Sequence, residues 1–139
     1  MKALLKAGVA VGDELPTVAR KFRLEHFARA DEKTIHTDVE AARREGMAEP
    51  VAIATHVGGL IFHQLRLSFG RGWVEGGTCS LTFRRPVAVT DFCEAQGVVT
   101  GREDLADGVR VACDVWIVNQ TGQKVVVGTA SCMLPRDAC

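Results

Sequence analysis

The stretch Asp31-Glu32-Lys33-Thr34-Ile35-His36-Thr37-Asp38 places a carboxylate and an imidazole five residues apart, followed by a helical run from Val39 to Gly46. Both side-chain types serve as general acids and bases, histidine most often. The Thr-Ile-His-Thr core favours extended backbone. The flanks Leu24–Ala30 and Val39–Arg44 carry the spacing of short helices. A loop held between two helices can aim Asp31 and His36 at one point. Asp38 suits the N-cap of the second helix, and Gly46 suits its end.

The remaining elements supply a scaffold for that loop. Val11–Pro16 reads as a turn entering an edge strand, since proline is tolerated only near a strand start or on an edge. Pro50 interrupts the chain. Ala52 to Phe69 is the longest helical candidate, with Ile53, Val57, Leu60, Ile61 and Leu65 on one face. Its first part carries almost no charge, so burial nearly all round is expected, with His56 and His63 as hydrogen-bonded core histidines. Gly58-Gly59 costs this helix roughly 1 kcal/mol each against alanine, which implies a close approach to its backbone. From Gly72 onward the pattern is strand: Trp73–Phe83 broken by Gly76-Gly77, Phe92–Gly101, Val109–Val118 and Lys124–Met133. Val109, Val111, Cys113, Val115 and Ile117 share one face of the clearest strand, and Asn119-Gln120-Thr121-Gly122 is a hairpin turn. Pro135–Cys139 is a frayed tail. One edge strand, short helices, a long buried helix and an antiparallel meander of four strands make an α+β arrangement, with a curved sheet around a single central helix.

Composition narrows the class. At 139 residues the chain is one domain, 1–139, long enough to bury a sizeable core without staples. Hydrophobic residues make up 47% and charged residues 24%, and 17 cationic side chains balance 17 acidic ones. Nothing in those totals calls for nucleic acid or an anionic membrane surface. A neutral surface favours an oligomer that hides part of it. The cysteines at 79, 93, 113, 132 and 139 are odd in number and form no Cys-x-x-Cys pair, so free thiols in a reducing cytoplasm are expected. The apolar run in Met1–Val11 is too short for a signal peptide, and no stretch has the apolar length of a membrane-crossing helix. Histidines and carboxylates do not cluster at ligand spacing, so no metal is expected.

Four stretches together resemble the MaoC-like branch of the hot-dog fold, which includes R-specific enoyl-CoA hydratases and 3-hydroxyacyl dehydratases. They are Val11-Gly12-Asp13-Glu14-Leu15-Pro16; Asp31 to Asp38, similar to Asp-x-Asn-Pro-[Ile/Leu]-His-x-Asp; Ala41-Ala42-Arg43-Arg44-Glu45-Gly46-Met47-Ala48-Glu49-Pro50-Val51-Ala52, similar to Ala-Ala-x-x-x-Gly-Phe-x-x-Pro-Ile-Ala; and Phe83-Arg84-Arg85-Pro86-Val87-Ala88-Val89-Thr90-Asp91, similar to Phe-x-x-Pro-Val-x-x-Gly-Asp. Two departures stand out. Lys33-Thr34 replaces Asn-Pro, and Ile53-Ala54-Thr55 replaces His-Gly-Met at the start of the central helix.

The resemblance implies a hot-dog domain in which Asp31 and His36 hold one water. They would add it across a 2-enoyl thioester, or remove it from a 3-hydroxyacyl thioester, while the Ala54 backbone N–H stabilises the thioester oxygen. Ile53, Thr55 and His56 would contact substrate, and Arg85, with Arg84, could reach phosphates of CoA, although both also suit a solvated strand end. His26 is expected at the surface. The implied partner is an acyl-CoA or acyl-carrier-protein thioester, with no cofactor. Hot-dog chains pair edge to edge, so a homodimer or higher homo-oligomer is expected, or a heterodimer with a homologous chain, with the pocket at the subunit boundary. Two other functions compete. A hot-dog thioesterase usually places Asp or Glu on the central helix, and Ala52–Phe69 has neither. A catalytically altered acyl-thioester-binding subunit would account for the loss of His-Gly-Met but not for the retained Asp31 and His36.

Overall fold

The computed structural model describes residues 2–23 and 33–136. The expected helix over Leu24–Ala30, His26, Asp31 and the last residues of the tail lie outside the described residues. In chain order the elements are β1 (Val18–Lys21), α1 (Val39–Arg44), α2 (Ala54–Phe69), α3 (Arg71–Val74), β2 (Thr78–Phe83), β3 (Phe92–Leu105), β4 (Gly108–Val118) and β5 (Lys124–Leu134). The five strands form one antiparallel sheet in the order β1-β3-β4-β5-β2.

The sheet is patterned by alternation. The rungs Ile117–Val126, Cys113–Ala130, Val111–Cys132 and Val109–Leu134 face inward and are all buried, as period-two patterning requires. Their partner is α2, which buries Val57, Leu60, Ile61, Leu65 and Phe69 at helical spacing. Burying each such side chain contributes about 1.5–3 kcal/mol. The N-terminal segment closes the far end of this helix: the N–H groups of Leu4 and Leu5 donate to the carbonyls of Leu67 and Ser68, two of the acceptors a helix C-terminus leaves open. Buried Gln64 adds a second tie, donating through Nε2 to the Pro16 carbonyl at 3.0 Å.

Several expectations hold. Asp38 caps α1 by accepting from the Ala41 N–H at 3.0 Å, and Gly46 follows that helix at φ 85. The turn after β4 is held by the Asn119 side chain, which accepts from the N–H groups of Thr121 and Gln123.

Others are corrected. The strands after α2 are not a simple meander, because β2 pairs with β5 at the far edge and residues 84–91 cross back to begin β3. Trp73 is helical rather than extended. Gly70 ends α2 at φ 56, and the chain makes the single turn of α3. A Cβ on Gly72 would sit 1.6 Å from the Met133 carbonyl oxygen, so backbone lies directly on backbone there. The central helix starts at Ala54 rather than Ala52, because the chain is still extended there: Val51 bridges Ala88, the Ala52 N–H donates to the Val87 carbonyl, and Ile53 has ψ 134. It is not buried all round: Thr55, His56 and His63 are exposed, so neither histidine is a core residue. The glycine pair is not forced by tight packing either. A Cβ at Gly58 would meet Phe83 Cζ at an ordinary 3.4 Å, and one at Gly59 would meet nothing within 4 Å.

The described cysteines are free, and Cys93, Cys113 and Cys132 are buried. Burial pushes all three thiols up to about 12, helped by the Asp91 carboxylate at Cys93, by Asp114 at Cys113, and by the neighbouring Cys113 and Cys79 at Cys132. Thiols that stay protonated are poor nucleophiles.

Gly59→Ala raises unfolding free energy in a denaturant titration by about 0.5–1 kcal/mol, whereas Gly72→Ala lowers it by more than that gain because backbone must separate from backbone. Under a thiol-alkylating reagent at mildly alkaline pH, peptide mapping finds Cys93, Cys113 and Cys132 unlabelled until the protein is unfolded. As pH rises past the ordinary thiol value of 9.0 towards about 12, only the unfolded chain ionises these groups readily, so stability declines across that window.

Candidate functional site

The loop carrying His36 is a turn, not the extended segment its β-branched residues favour. The Thr34 carbonyl accepts from the N–H groups of Thr37 and Asp38, and the Thr37 hydroxyl accepts from the Thr34 N–H at 3.0 Å. The Thr34 hydroxyl accepts from the His36 N–H at 3.2 Å. Side-chain oxygens that bond nearby backbone override strand propensity in this way.

This turn is fastened to the segment leading into α2. The Val51 N–H donates to the Ile35 carbonyl at 2.9 Å. In return, half-buried His36 lies with Nδ1 2.8 Å from the Val51 carbonyl. A carbonyl can only accept, so Nδ1 carries the proton and Nε2 of the neutral ring keeps its lone pair. Nothing in the sequence marked Val51 as the residue that sets this tautomer, because the contact is made by its backbone.

Val51 stands three residues ahead of Ala54, so at most about 10 Å of extended chain separates its carbonyl from the start of α2. Ile53 is the N-cap there, and no side chain caps the helix. The first N–H groups of a helix have no partner inside it and carry its positive dipole end, so the Ala54 N–H is a donor at the helix mouth. The Ile53 side chain packs against the core.

The expected site residues divide around this helix end. On one side, Ala54, Phe83, Arg84, Arg85 and Pro86 line a depression of about 200 Å³, with both arginines exposed. On the other, Thr55, His56, Gly59 and His63 face Val18, Ala19 and Arg20 across a groove of about 610 Å³. His36 lines neither, and Asp31 lies outside the described residues, so their separation is not described. Arg20 and Phe83 had no place among the expected site residues. For Arg20 a signal existed, since it shares the parity of Val18 on β1 and of Phe22 just beyond the strand. Among the described residues no group of three or more His, Cys, Asp and Glu side chains could hold a metal, and no helix is long and apolar enough to cross a membrane.

No protein-family profile and no curated protein sequence matches the chain at significance. Solved structures do. A MaoC-like dehydratase from Rhodospirillum rubrum is 22% identical, with a TM-score of 0.81 over 99% of this chain and 100% of that one. The R-hydratase PhaJ1 from Pseudomonas aeruginosa is 25% identical, with a TM-score of 0.73 over 94% of this chain and 85% of that one. The ChsH1-ChsH2 complex from Mycobacterium tuberculosis contains a chain 19% identical, with a TM-score of 0.71 over 91% of this chain and 98% of that one. The expected resemblance therefore holds at the level of architecture: along nearly its whole length the chain carries the hot-dog fold of the MaoC-like dehydratases and R-hydratases.

Proposed function

We propose that this protein is an R-specific hydro-lyase of the MaoC-like hot-dog family, adding water to a 2-enoyl thioester or removing it from a 3-hydroxyacyl thioester. The observation that carries the reading is the His36–Val51 bond. It leaves an imidazole nitrogen with a lone pair within a short span of an uncapped helix N-terminus. Asp31, five residues ahead, shares the work on one water. Together the pair takes a proton from the water as its oxygen adds to C3, and returns a proton to C2. Charge developing on the thioester oxygen is met by the Ala54 N–H and the dipole behind it. Arg85, with Arg84, flanks Ala54 in the smaller depression and suits the phosphates of CoA or of a carrier protein's phosphopantetheine. Thr55 and His56 border the acyl side.

The site is open on this chain alone. A depression of about 200 Å³ falls below the roughly 300–1,000 Å³ of most ligand sites, and a second subunit would supply the missing wall. The surface offers a place for one. β2 is an edge strand with the neutral sequence Thr-Cys-Ser-Leu-Thr-Phe, free of the charges and prolines that block edge pairing. Phe83 at its end and Phe62 on α2 remain 47% and 41% exposed, and Phe62 stacks on Trp73 at 6.0 Å. A homodimer through this edge is the assembly proposed.

A second reading is a catalytically altered acyl-thioester-binding subunit paired with a homologous chain. Ile53, at the position of the missing histidine, is drawn into the core, and ChsH1-ChsH2 is a complex of two named chains. A thioesterase is disfavoured because α2 carries no acidic residue.

Purified protein should consume crotonyl-CoA or a longer 2-enoyl-CoA, followed as loss of enoyl absorbance. Asp31→Asn or His36→Ala should each lower kcat by about 10²–10⁴-fold. Nitrogen-15 NMR should find the neutral His36 ring protonated at Nδ1. A wild type that binds acyl-CoA but leaves every enoyl chain length untouched would move the assignment to the second reading. In sedimentation velocity the wild type should run as a dimer or larger, and Phe62→Glu combined with Phe83→Glu should run as a monomer that keeps its circular dichroism.

A further inference from the structure

His36 is held at two points. Its ring is fixed from outside the turn, with Nδ1 2.8 Å from the Val51 carbonyl. Its backbone is fixed from inside the turn, where the His36 N–H donates to the Thr34 hydroxyl oxygen at 3.2 Å. Thr34 commits its other polar groups to the same turn. Its N–H donates to the Thr37 hydroxyl oxygen at 3.0 Å, and its carbonyl accepts from the N–H groups of Thr37 at 3.1 Å and Asp38 at 2.9 Å. The two hydroxyl oxygens stand 3.3 Å apart, so one can donate to the other. Thr34 is exposed, so hydrogen bonding rather than burial is what it gives the fold. The proline that the resembled motif carries at this position has neither an N–H nor a hydroxyl, so this chain builds the turn by other means.

Resting on the hydro-lyase reading, we propose that Thr34 is a positioning residue for His36. Its hydroxyl keeps the histidine backbone folded so that the ring stays on Val51 and the Nε2 lone pair stays in one place beside the mouth of α2. Two tendencies compete here. Ile35 and Thr37 are β-branched and favour extended backbone, while the Thr34 hydroxyl rewards the turn. A segment relaxing towards extended would carry the ring off the Val51 carbonyl. That carbonyl cannot follow, because Pro50 and Ala52 on either side are bonded to Val89 and Val87. Once off Val51, the neutral ring is free to hold its proton on either nitrogen, and Nε2 no longer always offers a lone pair. Misplacing a reacting group by about 1 Å can cost a factor of about 10² in rate, so a small loosening is visible in turnover.

The test is kinetics of 2-enoyl-CoA hydration together with nitrogen-15 NMR of the His36 ring. Thr34→Val keeps the β-branched shape and lacks the hydroxyl, and it should lower kcat about fivefold to tenfold with KM unchanged. Thr34→Ala, different in shape but equally without the hydroxyl, should match it. Thr34→Ser offers the same acceptor and should recover the wild-type rate. In the spectra, the single Nδ1–H tautomer of the wild type should give way to a mixture in Thr34→Val and return in Thr34→Ser, with the thermal midpoint unchanged because Thr34 is exposed. Wild-type kcat and ring shifts in Thr34→Val would overturn the proposal and leave the hydro-lyase reading standing. So would a loss that Thr34→Ser does not recover, or one confined to KM, which would make Thr34 a substrate contact. If the wild type hydrates no enoyl chain, the hydro-lyase reading fails. The ring tautomers then decide alone: a mixture in Thr34→Val that Thr34→Ser reverses supports the positioning role, and unchanged shifts overturn it.

Discussion

Three extended residues, Pro50 to Ala52, hold the site together through backbone alone. The Pro50 carbonyl accepts from the Val89 N–H at 3.0 Å, and the Ala52 N–H donates to the Val87 carbonyl at 2.6 Å. The opposite edge of the same segment is bonded to Ile35 and His36 through both polar groups of Val51. One short segment thus ties the crossover between β2 and β3, the histidine turn and the entry to α2. Since its hydrogen-bonding groups are used on both sides, it cannot shift to suit one neighbour without breaking bonds to another. The position of the imidazole relative to the helix end is therefore a property of the backbone, and burial of Pro50, Val51 and Ala52 holds the same segment from its side chains as well.

This explains what could be read from the chain before its structure. Helix and strand identities were legible because amphipathic spacing is local: Val57, Leu60, Ile61 and Leu65 announce α2, and Val109 to Ile117 announce β4. The Asp38 cap and the Asn119–Gly122 turn were legible for the same reason, each being made within five residues. The pairing of β2 with β5 was not, since nothing local says which edge a strand will join. Exposure of His56 and His63 was hidden too. The apolar composition of the helix predicts burial all round, but part of its surface faces a groove rather than the sheet. His36 stands out by residue type and spacing, while its anchoring by Val51 is out of reach of the sequence because any residue can offer a carbonyl.

The helix end sets stability against binding. Ile53 at the N-cap packs its apolar side chain inward, so the N-terminus of α2 is left without a side-chain cap. The uncapped end is less stable, by about 1 kcal/mol against a good cap. The same lack of a cap leaves its N–H groups available to a ligand oxygen. Stability and ligand binding pull in opposite directions wherever donors are left open at a helix end.

The two edges of the sheet differ in kind. β1 is four residues long and carries Arg20 and Lys21, and the Lys21 ammonium is engaged with the Thr90 carbonyl. β2 is longer and neutral. A sheet with one receptive edge and one refused edge has a single way to add a strand from another chain. In the proposed dimer, two copies would meet through β2 about a two-fold axis and present only their β1 edges outward. Growth would stop at closure, so a sheet with one open side would carry its own protection against becoming a fibre.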